Sequence, residues 1–317
     1  MRRVIVAIMM IILGVGTVHA QIMFWNVENF FDTYDDPKTA DEDFTQSGRY
    51  HLTKKKYQDK RNLIAKTILA SADSLGTLPH IIALAEVENK RVLTDLIQNT
   101  PLAKVGYKIV HKDSRDARGI DVALLYNPFE YALIDSCLLT VSQFATRDVL
   151  YCQLLSMRDS SLLHLFVNHW PSKRATAGST DVRREAVSRL LSDFLGRLIA
   201  SQPQASILLV GDFNDDPGSN AITQLCAEAG LVNLSEPLWK KGLGTIRYHG
   251  KWELIDQAIA SEALANETTY SIFAPDYLLE EDKAYLGVKP RRTFIGPRYN
   301  AGASDHLPIT TSGSNAN

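Results

Sequence analysis

The 317-residue sequence contains three cysteines, Cys137, Cys152 and Cys226. That is too few for a disulfide framework, and none has the paired spacing of a thiolate metal site. Cys137 and Cys152 fall on two strands that can form a hairpin, which leaves room for one bridge in an oxidising compartment; free, buried thiols are the expectation. The chain has no G-x-S-x-G elbow and no P-loop lysine motif, so a serine nucleophile and a nucleoside triphosphatase both lack support. It has no internal repeat, low-complexity tract or domain linker between residue 21 and the polar end of the chain. An excess of positive charge is also missing: 34 Lys and Arg stand against 36 Asp and Glu, a formal net charge of −2. The chain as a whole therefore lacks the footprint of a dedicated nucleic-acid binder, although a local positive groove suffices for a transient nuclease. With 45% hydrophobic and 22% charged residues, the composition is that of an ordinary globular domain.

Only one long apolar run occurs, within "MRRVIVAIMMIILGVGTVHA" at residues 1–20. Two arginines, an apolar stretch and a small-residue "VHA" ending at Ala20 are the anatomy of a cleaved signal peptide. The run is short for a membrane span, which needs about 20 apolar residues. No cysteine follows it to carry a lipid. The expectation is an exported protein, periplasmic or extracellular, with no stable membrane insertion once the leader is gone. Removing residues 1–20 takes away Arg2 and Arg3 and no acid, lowering the formal charge from −2 to −4. Residues 21–311 read as one catalytic domain and 312–317 as a polar tail.

Within that domain the apolar pattern predicts a strand at "IMFWNV", a helix over 55–75 and a buried strand at "HIIALAEV". Five more strands follow: "GYKIVHK", "GIDVALLY", "YALIDSCLLTV", "DVLYCQLLSM" and "SLLHLFVNHW". A helix over 181–200 has Asp181 as its N-cap and Val187, Leu190, Leu191, Phe194 and Leu198 on one face. Then come the strand "SILLVGDF", a helix over 219–229 and the strand "WELIDQAIAS". Residues 35–53 read as loop. Strands in hairpin order with helices interspersed predict an α/β fold of two packed mixed β-sheets flanked by helices, a four-layer α/β sandwich.

Polar residues end or interrupt these apolar runs. They are Asn26 in "FWNVEN", Glu86 in "LAEVEN", Asp121 in "RGIDVAL" and Asn168 with His169 in "VNHWPS". Next come Asp212 and Asn214 in "LVGDFND", Asp256 in "ELIDQAI", and Asp305 with His306 in "ASDHLPI". Burying one such group unpaired costs about 2–7 kcal/mol. One shared polar site at the sheet edges accounts for all of them. Glu86, Asp305 and Asn26 are hard oxygen donors suited to Mg²⁺ or Mn²⁺. Two histidines with acidic partners can move a proton and stabilise negative charge. A metal, a water nucleophile and anion-stabilising donors point to hydrolysis of a phosphate ester.

In this order, and over essentially all of residues 21–311, these segments resemble the endonuclease/exonuclease/phosphatase superfamily, in particular its deoxyribonuclease and sphingomyelinase branch. "GDFN" and "SDHLP" are the most specific pieces. The resemblance implies Glu86 as the main metal ligand, with Asn26 and Asp305 beside the metal. It implies His169 as a donor to the phosphoryl oxygens, kept protonated by Asp121, and Asp212 with Asn214 as the pair that orients water and phosphate. It also implies His306, backed by Asp256, as the second histidine; the general base stays open between a histidine and an aspartate, with His306 the expected one and Asp212 holding the water.

The remaining charged and aromatic residues have plainer readings. Glu88 and Asn89 begin the next helix. Trp170 and Trp252 are packing supports. His51, His80, His111, His164 and His249 are structural. Arg115 and Arg118 lie on a loop that can meet phosphate, and Lys173, Arg174, Arg183 and Arg184 form the best local basic patch. Arg118, Lys173 and Arg174 are the candidate substrate contacts. The expected activity is that of a nuclease with nucleic acid as substrate. The alternatives are a phosphodiesterase or phosphomonoesterase on lipid, sugar or inositol phosphates, and an inactive binding module.

Overall fold

The computed structural model describes residues 20–173 and 179–313. The expected leader lies outside these residues apart from Ala20, as do Arg174 and the last four residues of the tail. Among the described residues, no helix is long and apolar enough to cross a membrane.

The chain opens with β1 (Ile22–Phe30), α1 (Lys54–Ala70), α2 (Ala72–Leu75), β2 (Ile81–Val87), α3 (Lys90–Gln98), β3 (Lys108–His111) and β4 (Asp121–Tyr126). Residues 35–53 are loop apart from one 3-10 turn, Glu42–Phe44. The second part runs through β5 (Tyr131–Leu139), β6 (Val149–Ser156), β7 (Leu162–His169), α4 (Ser179–Ser201), β8 (Ser206–Asp212), α5 (Asn220–Ala229) and β9 (Leu231–Asn233). After α6 (Glu236–Lys240) and the hairpin β10 (Ile246–Tyr248) and β11 (Lys251–Glu253) come β12 (Asp256–Ser261), α7 (Glu262–Ala265) and β13 (Thr268–Ile272). Two small hairpins, β14 (Leu279–Glu281) with β15 (Val288–Pro290) and β16 (Phe294–Ile295) with β17 (Arg298–Tyr299), precede β18 (Ile309–Gly313).

Two six-stranded sheets form, in the orders β13-β18-β1-β2-β4-β3 and β5-β6-β7-β8-β12-β9. Each is mixed, with one parallel pair at its centre, β1 with β2 and β7 with β8. The expected architecture is therefore the observed one. The central strands read as unbroken apolar runs because both of their faces are buried. Phe24, Ala83, Leu165 and Val210 point between the sheets. Met23 and Ile82 pack outward against Ile64 of α1 and Leu96 of α3. On the other side, Phe166 and Leu209 pack against Leu191 of α4 and Ile222 of α5.

Several local expectations need correction. Asp181 lies inside the first turn of α4, where it pairs with Arg184, because the helix begins at Ser179. The polar tail starts inside β18, where Ser312 and Gly313 pair with Thr269 and Thr268. "WELIDQAIAS" is broken at Leu254 and Ile255, which places Asp256 at the head of β12. The β5–β6 hairpin forms, but Cys137 lies opposite Tyr151 and Cys152 opposite Ser136. A one-residue offset puts the two sulfurs on opposite faces of the sheet, and all three cysteines are free.

His164 sits within β7, buried, with Nδ1 2.8 Å from the Tyr151 hydroxyl and Nε2 3.2 Å from Gln202 Oε1. Accepting the Tyr151 hydroxyl requires an unprotonated Nδ1, and burial holds the ring below its ordinary value of 6.5. The neutral ring thus contributes stability that is complete above pH 6.5 and lost as pH falls through its depressed folded value. Melting temperatures measured between pH 7.5 and pH 5 are expected to fall for the native chain and to fall less steeply for His164→Gln.

Candidate active site

The C-terminal ends of the two parallel pairs converge. Asn26 and Glu86 leave β1 and β2, where the register shifts past Asn26 and the backbone turns through positive φ at Glu28 (46°), Asn29 (51°) and Glu86 (61°). Left-handed conformations at non-glycine residues cost on the order of 1–3 kcal/mol each and concentrate where function demands a direction. Here they turn Glu86 so that its Oε2 accepts the Asn29 N–H at 2.8 Å. Its Oε1 has long contacts, 3.4 Å from the Asn26 amide nitrogen and 3.8 Å from His169 Nε2. That nitrogen also donates to Asp212 Oδ2 at 3.0 Å, while Asn26 Oδ1 accepts the Glu28 N–H at 2.9 Å.

On the second sheet, His169, Asp212 and Asp256 form a single cross-strand row: His169 pairs with Asp212 and Asp212 with Asp256. Gly211 makes that row possible, because a Cβ there would fall within 2.5 Å of the Asn168 side chain. The buried Asn168 is itself structural, accepting the Trp170 indole N–H at 3.1 Å. His306 closes the row from the loop before β18. Its Nδ1–H donates to Asp256 Oδ2 at 2.8 Å, and its backbone N–H donates to Ser304 Oγ at 3.0 Å. Ser304 Oγ in turn donates to the Asn26 carbonyl at 2.6 Å, tying the "SDH" loop to β1. Asp212 Oδ2 stands 3.6 Å from His169 Nε2 and 3.9 Å from His306 Nε2, too far for either ring to occupy it with a direct hydrogen bond. Asp212 Oδ1 accepts the Asn214 N–H at 2.9 Å, and Asn214 Nδ2 donates to the Trp170 carbonyl at 2.9 Å.

The two imidazoles are electrostatically opposite. Burial, with Arg147, Arg118 and His306 nearby, pushes His169 well below the usual imidazole range, so it is neutral. Burial also opposes charge on His306, but Asp256, Asp212 and Asp305 outweigh it and hold that ring well above the usual range. Burial pushes the Asp212 carboxyl up to about 7, against the pull of His306 and with the help of Asp256.

Five carboxyl groups, Glu28, Glu86, Asp212, Asp256 and Asp305, surround this centre. Lys60, Arg292 and His306 supply the opposing charge. Arg292 donates to Glu28 Oε1 from Nε at 2.8 Å and reaches Asp305 Oδ2 at 3.0 Å. Lys60 donates to the Glu28 carbonyl and to Thr293 Oγ1. Burial and Asp305 push Glu28 up to about 7, and burial brings Lys60 down to about 8. A site with more acid than base, hard oxygen donors and partly exposed carboxylates at Glu86 and Asp305 fits a divalent cation. Glu86 and Asp305 are the residues that would hold it. Asn26 faces Glu86 with its N–H donor, so it orients the carboxylates instead of ligating beside them.

Asp121 does not support His169. It accepts from His111 Nε2–H at 3.1 Å and from the Ser114 N–H at 2.8 Å. His169 Nδ1 is buried without a hydrogen-bond partner among the described residues. The candidate substrate contacts are also engaged elsewhere. Arg118 pairs with Asp116 at 3.3 Å and Lys173 with Asp215 at 2.9 Å, while Arg174 lies outside the described residues. Sequence reasoning missed Glu28, Lys60, Arg147 and Arg292. Arg147 is buried behind the row and donates to the Trp170 carbonyl at 2.6 Å. Arg292 carries the one available signal, the doublet "PRRT" just ahead of "ASDH".

The model of the Endonuclease/Exonuclease/phosphatase family matches residues 21–312. The chain belongs to that family. No curated protein sequence matches it. Solved family-fold structures do. The human Nocturnin catalytic domain with bound sulfate is 17% identical, with 93% of this chain and 94% of that one covered and a TM-score of 0.59. Truncated TDP2 of Caenorhabditis elegans is 15% identical, with 93% and 97% covered and a TM-score of 0.58. The Bacteroides thetaiotaomicron mannosyl-6-phosphatase is 14% identical, with 92% and 98% covered and a TM-score of 0.58. At such identities the likeness to these structures is one of fold, whereas membership of the endonuclease/exonuclease/phosphatase family makes the chain a phosphoester hydrolase in type.

Proposed function

We propose that the protein is an exported, Mg²⁺-dependent phosphoesterase that hydrolyses a small phosphate ester by direct attack of water. The observation that carries this reading is the row His169–Asp212–Asp256, closed by His306, with Glu86 facing it from the other sheet. Glu86 and Asp305 would hold a Mg²⁺ or Mn²⁺ ion, which would supply Lewis-acid polarisation of the phosphate. Asp212, with an ionisation poised near neutrality, takes the proton of the attacking water. His169, as a neutral ring, donates from Nε2–H to a phosphoryl oxygen. Asn214 uses one amide N–H on the Trp170 carbonyl and keeps the other for the phosphate. His306, charged and held by Asp256, balances the negative charge that grows on the phosphate in the transition state. No covalent intermediate is needed.

The sequence pointed first to nucleic acid as substrate. The charge layout favours a smaller ester, because three of the described basic residues expected to track a polyanion are paired with acids within the protein. Arg118 is held by Asp116, Lys173 by Asp215, and the buried Arg184 by Asp215 and Asp181. One neighbour of this fold, the mannosyl-6-phosphatase, bears a name that specifies a small sugar phosphate. Export rests on the leader anatomy of residues 1–20.

The test follows supercoiled plasmid, single-stranded RNA, bis(p-nitrophenyl) phosphate and p-nitrophenyl phosphate with the purified protein, each with Mg²⁺ and with EDTA. Turnover of a p-nitrophenyl ester that stops in EDTA, with plasmid and RNA left intact, is the expected result. His169→Ala is expected to lower it by about 10²–10³, the usual cost of one preorganised donor. Plasmid or RNA cleavage at comparable rates returns the protein to the nuclease reading, and silence on all four overturns both.

A further inference from the structure

Arg147 lies just ahead of β6 and has no task in the chemistry above. It is buried, an expensive place for a guanidinium. The acid that offsets it, Asp116, stands 3.3 Å from Nη1 and is shared with Arg118. Its Nε has no hydrogen-bond partner among the described residues. Packing alone does not call for a cation here, since an apolar side chain of similar length fills the volume at lower cost. What an apolar side chain cannot supply is the Nη2–H, which donates to the Trp170 carbonyl at 2.6 Å.

That carbonyl belongs to the Trp170–Pro171 peptide, which has no N–H. Its oxygen is therefore the group through which hydrogen bonds can fix the peptide plane. Two donors meet it and fill its two lone pairs, Arg147 Nη2–H and, at 2.9 Å, Asn214 Nδ2–H. The rest of Trp170 is held separately. Its N–H donates to the Asp212 carbonyl at 2.8 Å, and its ring packs edge-on against Phe213 at 5.0 Å. For Asn214 the Trp170 carbonyl is the one hydrogen-bond partner of the side chain among the described residues. Its backbone, left-handed at φ 50°, is fixed by a different group, the Asp212 carboxylate that accepts its N–H. Asp212 thus holds the turn, and the Trp170 carbonyl holds the amide.

We propose that Arg147 is a positioning residue: by fixing the Trp170 carbonyl from the side opposite Asn214, it aims the second amide N–H of Asn214 at the phosphate. Asp116 anchors the other arm of the guanidinium fork, so the direction of the carbonyl is set from outside the catalytic row. A charged donor makes the stronger hydrogen bond, and a planar fork gives it a fixed direction. The inference rests on the phosphoesterase reading, since that reading gives Asn214 its phosphate.

The test is a double-mutant cycle of Arg147→Lys and Asn214→Ala, with kcat and KM measured in Mg²⁺ on the p-nitrophenyl ester that the native chain hydrolyses. Lysine keeps the charge and the apolar stem but loses the fork that meets Asp116 and the carbonyl together. Arg147→Lys is expected to lower kcat by about tenfold to a hundredfold and to raise KM by less than about threefold, the cost of a donor misaimed and not removed. In the Asn214→Ala background it is expected to cost less than about threefold, because the group it aims is gone. Side-chain amide spectra of protein labelled with ¹⁵N-asparagine, recorded in EDTA, follow Asn214 without turnover. Its signals are those missing from Asn214→Ala, and they are expected to move toward the free-amide position in Arg147→Lys. Asp116→Asn loosens the fork from its other arm and is expected to move them the same way, which carries the test if Arg147→Lys does not fold. Equal kcat losses in the two backgrounds, or Asn214 signals unmoved by both substitutions, overturn the positioning role and leave the phosphoesterase in place. Signals that move, with no ester hydrolysed by the native chain, keep the hold on Asn214 and overturn the catalytic reading. Neither turnover nor moved signals overturns both.

Discussion

Replacing Asp212 by Asn is expected to lower kcat by about 10⁴, the upper range for a general base, and to remove the acid limb of the pH–rate profile. Asn is nearly isosteric and can still accept the Asn214 N–H, so the "GDFN" turn is preserved. What it loses is the basic oxygen that stands between His169 and His306. In the native enzyme, burial pushes the Asp212 carboxyl up to about 7. A base must be ionised to act, so log kcat/KM rises with pH up to that region and then levels; added divalent cation moves the limb to lower pH by favouring the carboxylate. If His306 were the base instead, the limb would follow its raised ionisation and would survive in Asp212→Asn. Stability provides an internal control. With a folded value near 7 against 3.8 unfolded, the metal-free native protein binds more protons than the unfolded chain, and its stability falls as pH rises through that window. Asn cannot ionise. Asp212→Asn turns the acceptor of the Asn26 amide N–H into a donor, so the control is the pH dependence. Its melting temperature is expected to lose the fall toward pH 8 that Asp212 contributes, with one cooperative transition kept and activity nearly gone, which rules out misfolding as the cause.

The sequence exposed most of this site because the central strands are covered on both faces. In such strands a polar residue stands out against the apolar run; Glu86, His169, Asp212 and Asp256 lie at or next to the ends of strands buried in this way, and Asn26 at the register shift within β1. What could not be read was which acid meets which ring. Asp121 begins a strand, as an active-site acid would, but β4 pairs with β3, and that register brings it to His111 of the same sheet. His169 is on the other sheet, and its sheet-mates are fixed by pairing partners that spacing does not encode. Contacts between distant loops were equally hidden. Arg292 reaches Glu28 across 264 residues, and no periodicity links a basic doublet after β15 to the bulge that ends β1. The basic run after His169 looked like a substrate surface because Asp215 and Asp216, which pair with its Lys173, belong to the turn after a different strand.

Glu86→Gln is expected to be about as damaging as Asp212→Asn, but by a different route. Gln keeps an oxygen for the Asn29 N–H and occupies the same left-handed backbone position, so the bulge at the ends of β1 and β2 stays in place. It removes one negative charge from the carboxylate that has an oxygen without a strong internal partner. Loss of Lewis-acid stabilisation is worth several kcal/mol of barrier, which corresponds to about 10⁴ in rate. Titration of Mn²⁺ followed by electron paramagnetic resonance is expected to show binding weakened by about a hundredfold or more, and high Mg²⁺ is expected to restore part of the activity. Asp212→Asn should show neither the deep loss of Mn²⁺ affinity nor the rescue, because the two Asp212 oxygens already accept N–H donors from Asn26 and Asn214. Equal metal affinity in Glu86→Gln and the native protein would instead move the cation to the buried group Asp212, Asp256 and His306, whose ligand atoms lie within 4.8 Å of one another. That alternative carries its own cost. His306 Nδ1 and Asp256 Oδ2 are already joined at 2.8 Å, so a cation there would have to break the pair that holds the imidazolium.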